Sequence, residues 1–511
     1  MTARFSLAGP LLLLVLAGSG SCARGGAPLH ALTIIQLNDV YEIFPLPTRV
    51  ADKYEERGGL AYVATLIREA RQPGPVLVLH AGDFLTPSLL SIKFKHQGTQ
   101  MIDAMNAVGV DVVTFGNNEF DVGCGALADR IRQSTFGWVS ANVHLPAEMN
   151  LPEGKILPYR MFTTAGLRVG VFGLTRLLAP VNCDSGQITF SSPTDAASSA
   201  VEALEREHAE LIIALTHQTM AEDRALASAV PGIDLIVGGH DHHPMADQVG
   251  KTLITKAGAN ATALGLTRVI ATRAGDRLIV EKSWTHQDVN PASIAPDAAV
   301  SKAVAPYAAE MGSLSRAIGS TEIPLDLREE VVRGGESNFG SYLADLMRAE
   351  THADVAIING GALRGDRIVP AGPLTLKDLD TALVFDDRVV ALRVTGNQLL
   401  QALENGVSRI EESDGRFPQV SGLSFAFDPG RPSDRRILWI RIGNRPLEPE
   451  RIYTMAATAF LANPENLDGY RLPATNLKVV GDLKEMVLRD LAKGPINPSV
   501  DGRIVSLFQP R

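Results

Sequence analysis

The residues of this chain best suited to chemistry stand at the ends of short apolar runs. "ALTIIQLND" closes on Asn38 and Asp39, "PVLVLHAGD" on Asp83, and "VDVVTFGNN" on Asn117. "AELIIALTH" closes on His217, and "GIDLIVGGHDHH" on His240, His242 and His243. Two carboxylates, an amide and at least two imidazoles form a mixed oxygen and nitrogen donor set. Such a set suits Zn²⁺, Mn²⁺, Fe or Co and not Ca²⁺. A carboxylate such as Asp83 can bridge two ions, and two ions ~3.5–4 Å apart can clamp the oxygens of an in-line phosphoryl displacement. Each residue alone has a plainer reading: Asp39 capping a loop, Asn117 in a turn, His217 a satisfied core histidine. Their recurrence at one kind of position favours the metal centre.

The elements that must position these residues are legible as well. Each run is of strand length and rich in Val and Ile, as strands buried on both faces are, and "RVGVFGLT" makes a sixth. Between them, "GGLAYVATLIREARQ" places Leu60, Val63, Ala64 and Ile67 on one helical face, and "TQMIDAMNAVG" does the same with Met101, Met105 and Val108. The alternation predicts a layered α/β domain over 30–290, with helices covering a sheet. Ligands of open α/β sheets gather just outside the carboxyl ends of the strands, where these polar endings fall.

The chain has 511 residues, long for one core, and its texture changes at 291–320 to an Ala- and Pro-rich stretch read as a helical connector. A second, smaller α/β unit is expected over 321–511. In it, "ESNFGSYLADLMRAE" puts Phe339, Tyr342, Leu343, Leu346 and Met347 at helical spacing, and Thr395 with Gln398 forms a capping-box pattern.

Apolar residues make up 45% and charged residues 21%, the balance of a folded soluble protein. A net charge of −9 argues against a nucleic-acid polymer as partner, which needs a basic stripe. Small anions stay open, because a bound divalent ion reverses the local potential. Residues 1–23 read as a secretory signal: Arg4, an apolar run from Leu11 to Leu16, then small residues with Ser21-x-Ala23 as cleavage site. Cys22 is an alternative lipid-attachment point. The run is too short for a permanent membrane span, and no later segment reaches ~20 apolar residues. The expected location is periplasmic or secreted. Cys124 and Cys183 remain after cleavage, as one disulfide or as two free thiols.

"LND", "AGDF", "GNNEFD", "LTHQ" and "GGHDHH" resemble, in order, the metallophosphoesterase motifs of the 5′-nucleotidase family, which includes bacterial UDP-sugar hydrolases. "RGGESNFGSYLAD", "INGGALR", "LVF", "GRFPQVSGL" and "TAFLANPENLDGY" resemble that family's C-terminal domain. The resemblance implies a metallophosphoesterase sandwich followed by a smaller nucleotide-binding α/β domain. It implies two divalent transition-metal ions (Zn, Mn, Co or Fe) held by Asp39, Asp83, Asn117, His217, His240 and His242, with Asp83 bridging. It also implies that Arg333, Asn359 and Arg364 are polar nucleotide contacts, that Phe385 and Phe460 sandwich the base, and that Asp468 binds the ribose. Without the resemblance, the two phenylalanines read as core residues.

Two positions depart from the pattern. Where the family reads Asp-x-His, this chain reads Asp39-Val40-Tyr41. Either Tyr41 takes the lost imidazole's place as a phenolate, favouring a harder ion such as Fe³⁺, or water fills it, with His243 a spare imidazole nearby in sequence. In "TFGNNEFD", Thr114 to Asp121, Asn118 stands where the family has its catalytic histidine, and Asp121 matches that histidine's acidic partner. Asn donates a hydrogen bond but carries no charge and no useful pKa. The expectation is an exported, metal-dependent hydrolase acting on nucleotides, with a weakened or rerouted acid step. UDP-sugar or 2′,3′-cyclic nucleotide hydrolysis, thiosulfohydrolase-like chemistry and a nucleotide-binding protein of little turnover are the alternatives.

Overall fold

All six apolar runs form strands: His30–Leu37, Val76–His80, Val112–Val113, Leu167–Thr175, Leu211–His217 and Leu235–Gly238. They do not share one sheet. In the computed structural model, which describes residues 30–507 apart from 51–52, 185, 275–276, 467 and 474–476, they divide between two sheets. The expected signal at 1–23 and Cys22 lie outside the described residues.

The first sheet has seven strands, in the order Arg277–Asp288, Ala263–Ala274, His30–Leu37, Val76–His80, Val112–Val113, Gly137–Val139 and Ile156–Leu157. The second has six, in the order Met245–Val249, Thr252–Lys256, Leu235–Gly238, Leu211–His217, Leu167–Thr175 and Tyr159–Thr164. Successive side chains alternate between faces, so each strand supplies two cores. Leu32, Ile34, Leu77 and Leu79 face Val169, Val171, Ile213, Leu215 and Val237 between the sheets. On the other side of the first sheet, Ile35, Leu37 and Val78 pack against Leu60, Val63 and Ile67 of helix Leu60–Arg71 and Met101 and Met105 of helix Thr99–Val108. Beyond the second sheet, Phe172, Ile212 and Ile236 meet Ala197, Val201 and Leu204 of helix Pro193–Arg206 and Leu226 of helix Met220–Ala229. The architecture is a four-layer sandwich, two sheets face to face between helices, as the resemblance implied and where the alternation of runs alone suggested one sheet.

Within each sheet the central strands run parallel, from His30–Leu37 through Val76–His80 to Gly137–Val139, and from Leu167–Thr175 through Leu211–His217 to Thr252–Lys256. Parallel pairing brings their carboxyl ends to the same edge, which is what gathers the polar endings. Helix Ala298–Gly312, capped by Asp297, buries Val300, Val304, Tyr307 and Met311 against the helices of the first unit.

The second unit is built on a five-stranded sheet, in the order Pro418–Ser421, Val355–Asn359, Ile452–Thr458, Arg388–Thr395 and Lys478–Asp482. Helix Asn338–Thr351 covers one face with Phe339, Leu343, Leu346 and Met347, and helix Gly396–Val407 covers the other with Leu399, Ala402 and Leu403. The capping box forms as read: Gln398 N–H donates to Thr395 Oγ1 (3.2 Å), and Thr395 N–H donates to Gln398 Oε1 (2.9 Å). Of the two readings left open for the cysteines, the disulfide holds, joining Cys124 to Cys183. Among the described residues no helix is long and apolar enough to cross a membrane.

Candidate metal centre

Three of the expected ligands sit on strained backbone. Asp39, Asp83 and His240 have φ of 53°, 59° and 75°, the left-handed region that costs a non-glycine residue on the order of 1 kcal/mol or more. The surrounding loops enforce it. Gly116 passes so close that a Cβ there would lie 2.0 Å from Asp83 Oδ1, and a Cβ on Gly239 would lie 2.3 Å from the Ala81 carbonyl. The buried Glu119 carboxylate accepts four backbone N–H groups, from Asp83 (2.8 Å), Gly116 (2.6 Å), Phe84 (2.7 Å) and Leu85 (3.1 Å). Lys256, fully buried, donates to the Gln218 and Gly239 carbonyls and to Asp223, tying the end of the His217 strand to the His240 loop.

The donors converge on this scaffold. His217 donates from Nδ1 to the Ala81 carbonyl (2.7 Å), which turns Nε2 toward Asp83 Oδ2 at 3.2 Å. His240 packs edge-on to His217 with ring centroids 5.2 Å apart, and its backbone N–H donates to Asp39 Oδ2 (2.8 Å). Asp83, His217 and His240 bring one donor atom each within 4.8 Å of one another. His242 Nε2 lies 3.5 Å from Asp39 Oδ1. Asn117 joins through its neighbour: its amide donates to Asn118 Oδ1 (2.8 Å), while Asn118 N–H donates to Asp83 Oδ1 (2.8 Å). Five of the expected ligands thus contact one another in series, Asp83 with His217, His217 with His240, His240 with Asp39 and Asp39 with His242, while Asn117 reaches Asp83 only through Asn118.

Electrostatics suit a cation. Burial opposes charge on Asp39, yet His217, followed by His242, outweighs it and holds the carboxyl well below its usual range. Burial likewise opposes charge on His217, but Asp83 and Asp39 push its pKa up to about 9. The buried carboxylates thus draw protons onto His217 and His242, sites a metal takes by displacing them, whereas burial, then His217 and Arg176, keep His240 neutral as a ligand must be. Asn117 Oδ1 is buried without a hydrogen-bond partner, as an unused ligand atom is. The residues present fit divalent transition-metal ions.

Tyr41 occupies the middle of this set. Its hydroxyl lies 3.2 Å from Asp83 Oδ2, 3.3 Å from Asp39 Oδ1 and 3.5 Å from His242 Nε2. Burial, then the charges of Asp83 and Asp39, push the phenol well above its usual pKa. Asn118 donates to the same hydroxyl (3.4 Å). Asp121 is solvent-exposed one turn further on, and among the described residues no hydrogen bond joins it to the Asn118 side chain. His243 is also exposed.

The second unit reaches the same place. The Arg364 guanidinium lies 5.9 Å over the Tyr41 ring. Arg333 donates to Glu329 Oε1 (2.6 Å) and to the Ser413 carbonyl (3.2 Å). One cleft is lined by Tyr41 and His242 from the first unit and by Glu329, Arg333, Arg364 and Arg367 from the second. Asn359 donates to Asp468 Oδ2 (2.7 Å) and leaves its own Oδ1 unpartnered. Burial, then the charge of Asp414, pushes the Asp468 pKa up to about 6. Phe385 and Phe460 are each 37% exposed, so they are not the core residues that their chemistry alone suggests.

Sequence reasoning missed four residues that shape the site. Glu119 lies inside the quoted "GNNEFD", so a signal was present without a role attached. Lys256, Glu329 and Arg176, whose Nη1 donates to His240 Nε2 (2.6 Å), stand in no pattern that points to the centre.

Two family models match the chain: calcineurin-like phosphoesterase over residues 32–244, and 5′-nucleotidase, C-terminal domain, over 317–472. Protein 5NUC of Lutzomyia longipalpis is 27% identical, across 97% of this chain and 96% of its own. A snake venom 5′-nucleotidase of Gloydius brevicauda is 29% identical, across 99% of this chain and 95% of its own. The crystal structure of a 5′-nucleotidase precursor from Thermus thermophilus superposes with a TM-score of 0.84 at 29% identity, covering 94% of this chain and 100% of that one.

Proposed function

The protein belongs to the 5′-nucleotidase family of metallophosphoesterase hydrolases, and from that premise we propose that it is an exported enzyme converting a nucleotide to nucleoside and phosphate with two divalent transition-metal ions. One observation carries this reading furthest. His242 of the ligand cluster and Arg333 and Arg364 of the second unit line a single cleft, with Arg364 over Tyr41.

Asp39, Asp83, Asn117, His217, His240 and His242 would hold the two ions, with Asp83 as the ligand they share. Bound there, such ions supply Lewis acidity toward phosphoryl oxygens and make a water acidic near neutral pH. Arg333 and Arg364 are placed to hold phosphate oxygens, for which a guanidinium is well shaped. Asn359 and Asp468 would take ribose hydroxyls. The exposed rings of Phe385 and Phe460 would stack on the base, at ~1–3 kcal/mol per stacked base. Asn118 offers a neutral donor and no proton for the leaving group, so turnover on poor leaving groups is expected to be slow. Export is supported by the Cys124–Cys183 disulfide, which persists in oxidising compartments. A lipid at Cys22 is the membrane-attached variant of that address.

A second reading, a nucleotide-binding protein of little turnover, is favoured by one contact. The Asn118 amide is engaged with Asn117 and Tyr41 and not held free for substrate. Turnover with added Mn²⁺, Zn²⁺ or Co²⁺ against nucleoside monophosphates, a UDP-sugar, 2′,3′-cyclic nucleotides, thiosulfate esters and an aryl phosphate decides between them and ranks substrates. Tight nucleotide binding with no phosphate release under any metal would defeat the hydrolase reading. Loss of both ions in Asp83→Ala is the accompanying test of the shared ligand.

A further inference from the structure

We propose that Glu329 is a positioning residue through which the second unit orients the metal-ligand candidate His242 and, with the same carboxylate, Arg333. The proposal rests on reading His242 as a metal ligand, and it adds a residue outside every motif that suggested the centre.

The carboxylate divides its oxygens between the two partners. Glu329 Oε2 lies 2.8 Å from His242 Nδ1, and Oε1 accepts from Arg333 Nη1 at 2.6 Å. Glu329 and Arg333 are four residues apart, at the two ends of the short helix Glu329–Val332, so one turn presents both to the cleft. Glu329 is itself held, because its backbone N–H donates to Asp366 Oδ1 (2.8 Å). The three side chains are shielded, at 20% exposure for Glu329 and 14% for each partner.

A histidine that ligates a metal through one nitrogen almost always donates the other N–H to a carboxylate, carbonyl or water, which fixes tautomer and ring angle. His217 does this within its own unit, through the Ala81 carbonyl. His242 does it across the cleft, because its Nδ1 meets Glu329 while its Nε2 faces Asp39. The ligand set is therefore completed by the unit that carries the nucleotide-facing side chains. Removing Glu329 frees His242 to rotate and leaves Arg333 holding the Ser413 carbonyl.

The test uses the full-length protein and Co²⁺ alone, titrated against a chromophoric chelator, followed by KM for a nucleoside monophosphate. Glu329→Ala should weaken one of two Co²⁺ sites by ten- to a hundredfold, the usual effect of losing such a partner, and leave the other within about twofold. Glu329→Gln keeps an oxygen to accept the His242 Nδ1–H, so its Co²⁺ affinity should return to within a few-fold of the parent. Its charge opposite Arg333 is gone, so KM should stay raised several-fold in both variants. A merely structural ion pair would not split Co²⁺ affinity from KM in this way. Co²⁺ binding unchanged in Glu329→Ala, while His242→Ala loses an ion, overturns the proposal and spares the ligand reading. Equal Co²⁺ losses in Ala and Gln overturn orientation by the acceptor oxygen, and an unchanged KM in both overturns the Arg333 half. If His242→Ala also keeps both ions, the ligand reading falls and this proposal falls with it.

Discussion

Replacing Glu119 by Gln tests the scaffold beneath the centre with almost no change of shape. The two carboxylate oxygens each serve a pair of backbone donors. Oε2 takes the N–H groups of Asp83 and Gly116, and Oε1 those of Phe84 and Leu85. A glutamine amide has one acceptor oxygen, so either orientation leaves one pair of buried N–H groups facing an NH₂ that cannot accept. A buried donor left unsatisfied costs ~1–3 kcal/mol, which for a pair gives about 2–6 kcal/mol. At ~2–4 °C per kcal/mol for a unit of this size, the melting temperature should fall by roughly 4–24 °C. Asp83 is held at a φ of 59° by these bonds, so metal retention should fall with stability. Thermal unfolding followed by circular dichroism, with metal analysis after desalting, reads both. A fall of less than ~2 °C with full metal retention would refute the argument that Glu119 holds the Asp83 loop.

Phe385→Ala and Phe460→Ala should each weaken nucleotide substrates by ~1–3 kcal/mol in kcat/KM while an aryl phosphate stays nearly unaffected; equal losses on both would place the rings outside base recognition. Asn118→His should raise kcat on nucleoside monophosphates about tenfold or more, with a smaller gain for nitrophenyl phosphate, whose leaving group needs little protonation. A folded, metal-replete variant with no gain would mean that the acid step runs by another route. Asp468 has a folded pKa near 6 against an unfolded value near 3.8, so the unfolded chain ionises first as pH rises. Its stabilising contribution is complete below about pH 3.8 and lost by about pH 6, a difference of at most ~3 kcal/mol. Asp468→Asn should therefore be more stable than the parent at about pH 7.5, by an amount that vanishes near pH 4, while nucleotide KM rises. Denaturant titrations giving the same difference at both pH values would refute it.

Sequence alone determined the parts of this protein whose signal is local. The six apolar runs are strands, the faces of helices Leu60–Arg71 and Thr99–Val108 are buried where periodicity put them, and Thr395 caps its helix with Gln398. The polar strand endings were legible because donor type and position in a strand are written in a few adjacent letters. Their meeting followed from parallel pairing, which aligns carboxyl ends. Tertiary structure alone decided what depends on partners distant in the chain. A strand buried on both faces reads the same whether its second cover is helix or sheet, so the face-to-face packing of two sheets could not be read from Val and Ile runs. Cys124 and Cys183 carried no pairing signal until the fold brought their Cα atoms to 5.7 Å. Tyr41 was visible as a missing imidazole, but its place between Asp39, Asp83 and His242 is a matter of side-chain direction. Glu329 reads as one more acid at the start of a short helix. It meets His242 because the second unit packs against the open end of the first, and no local pattern encodes a contact between residues so far apart in the chain.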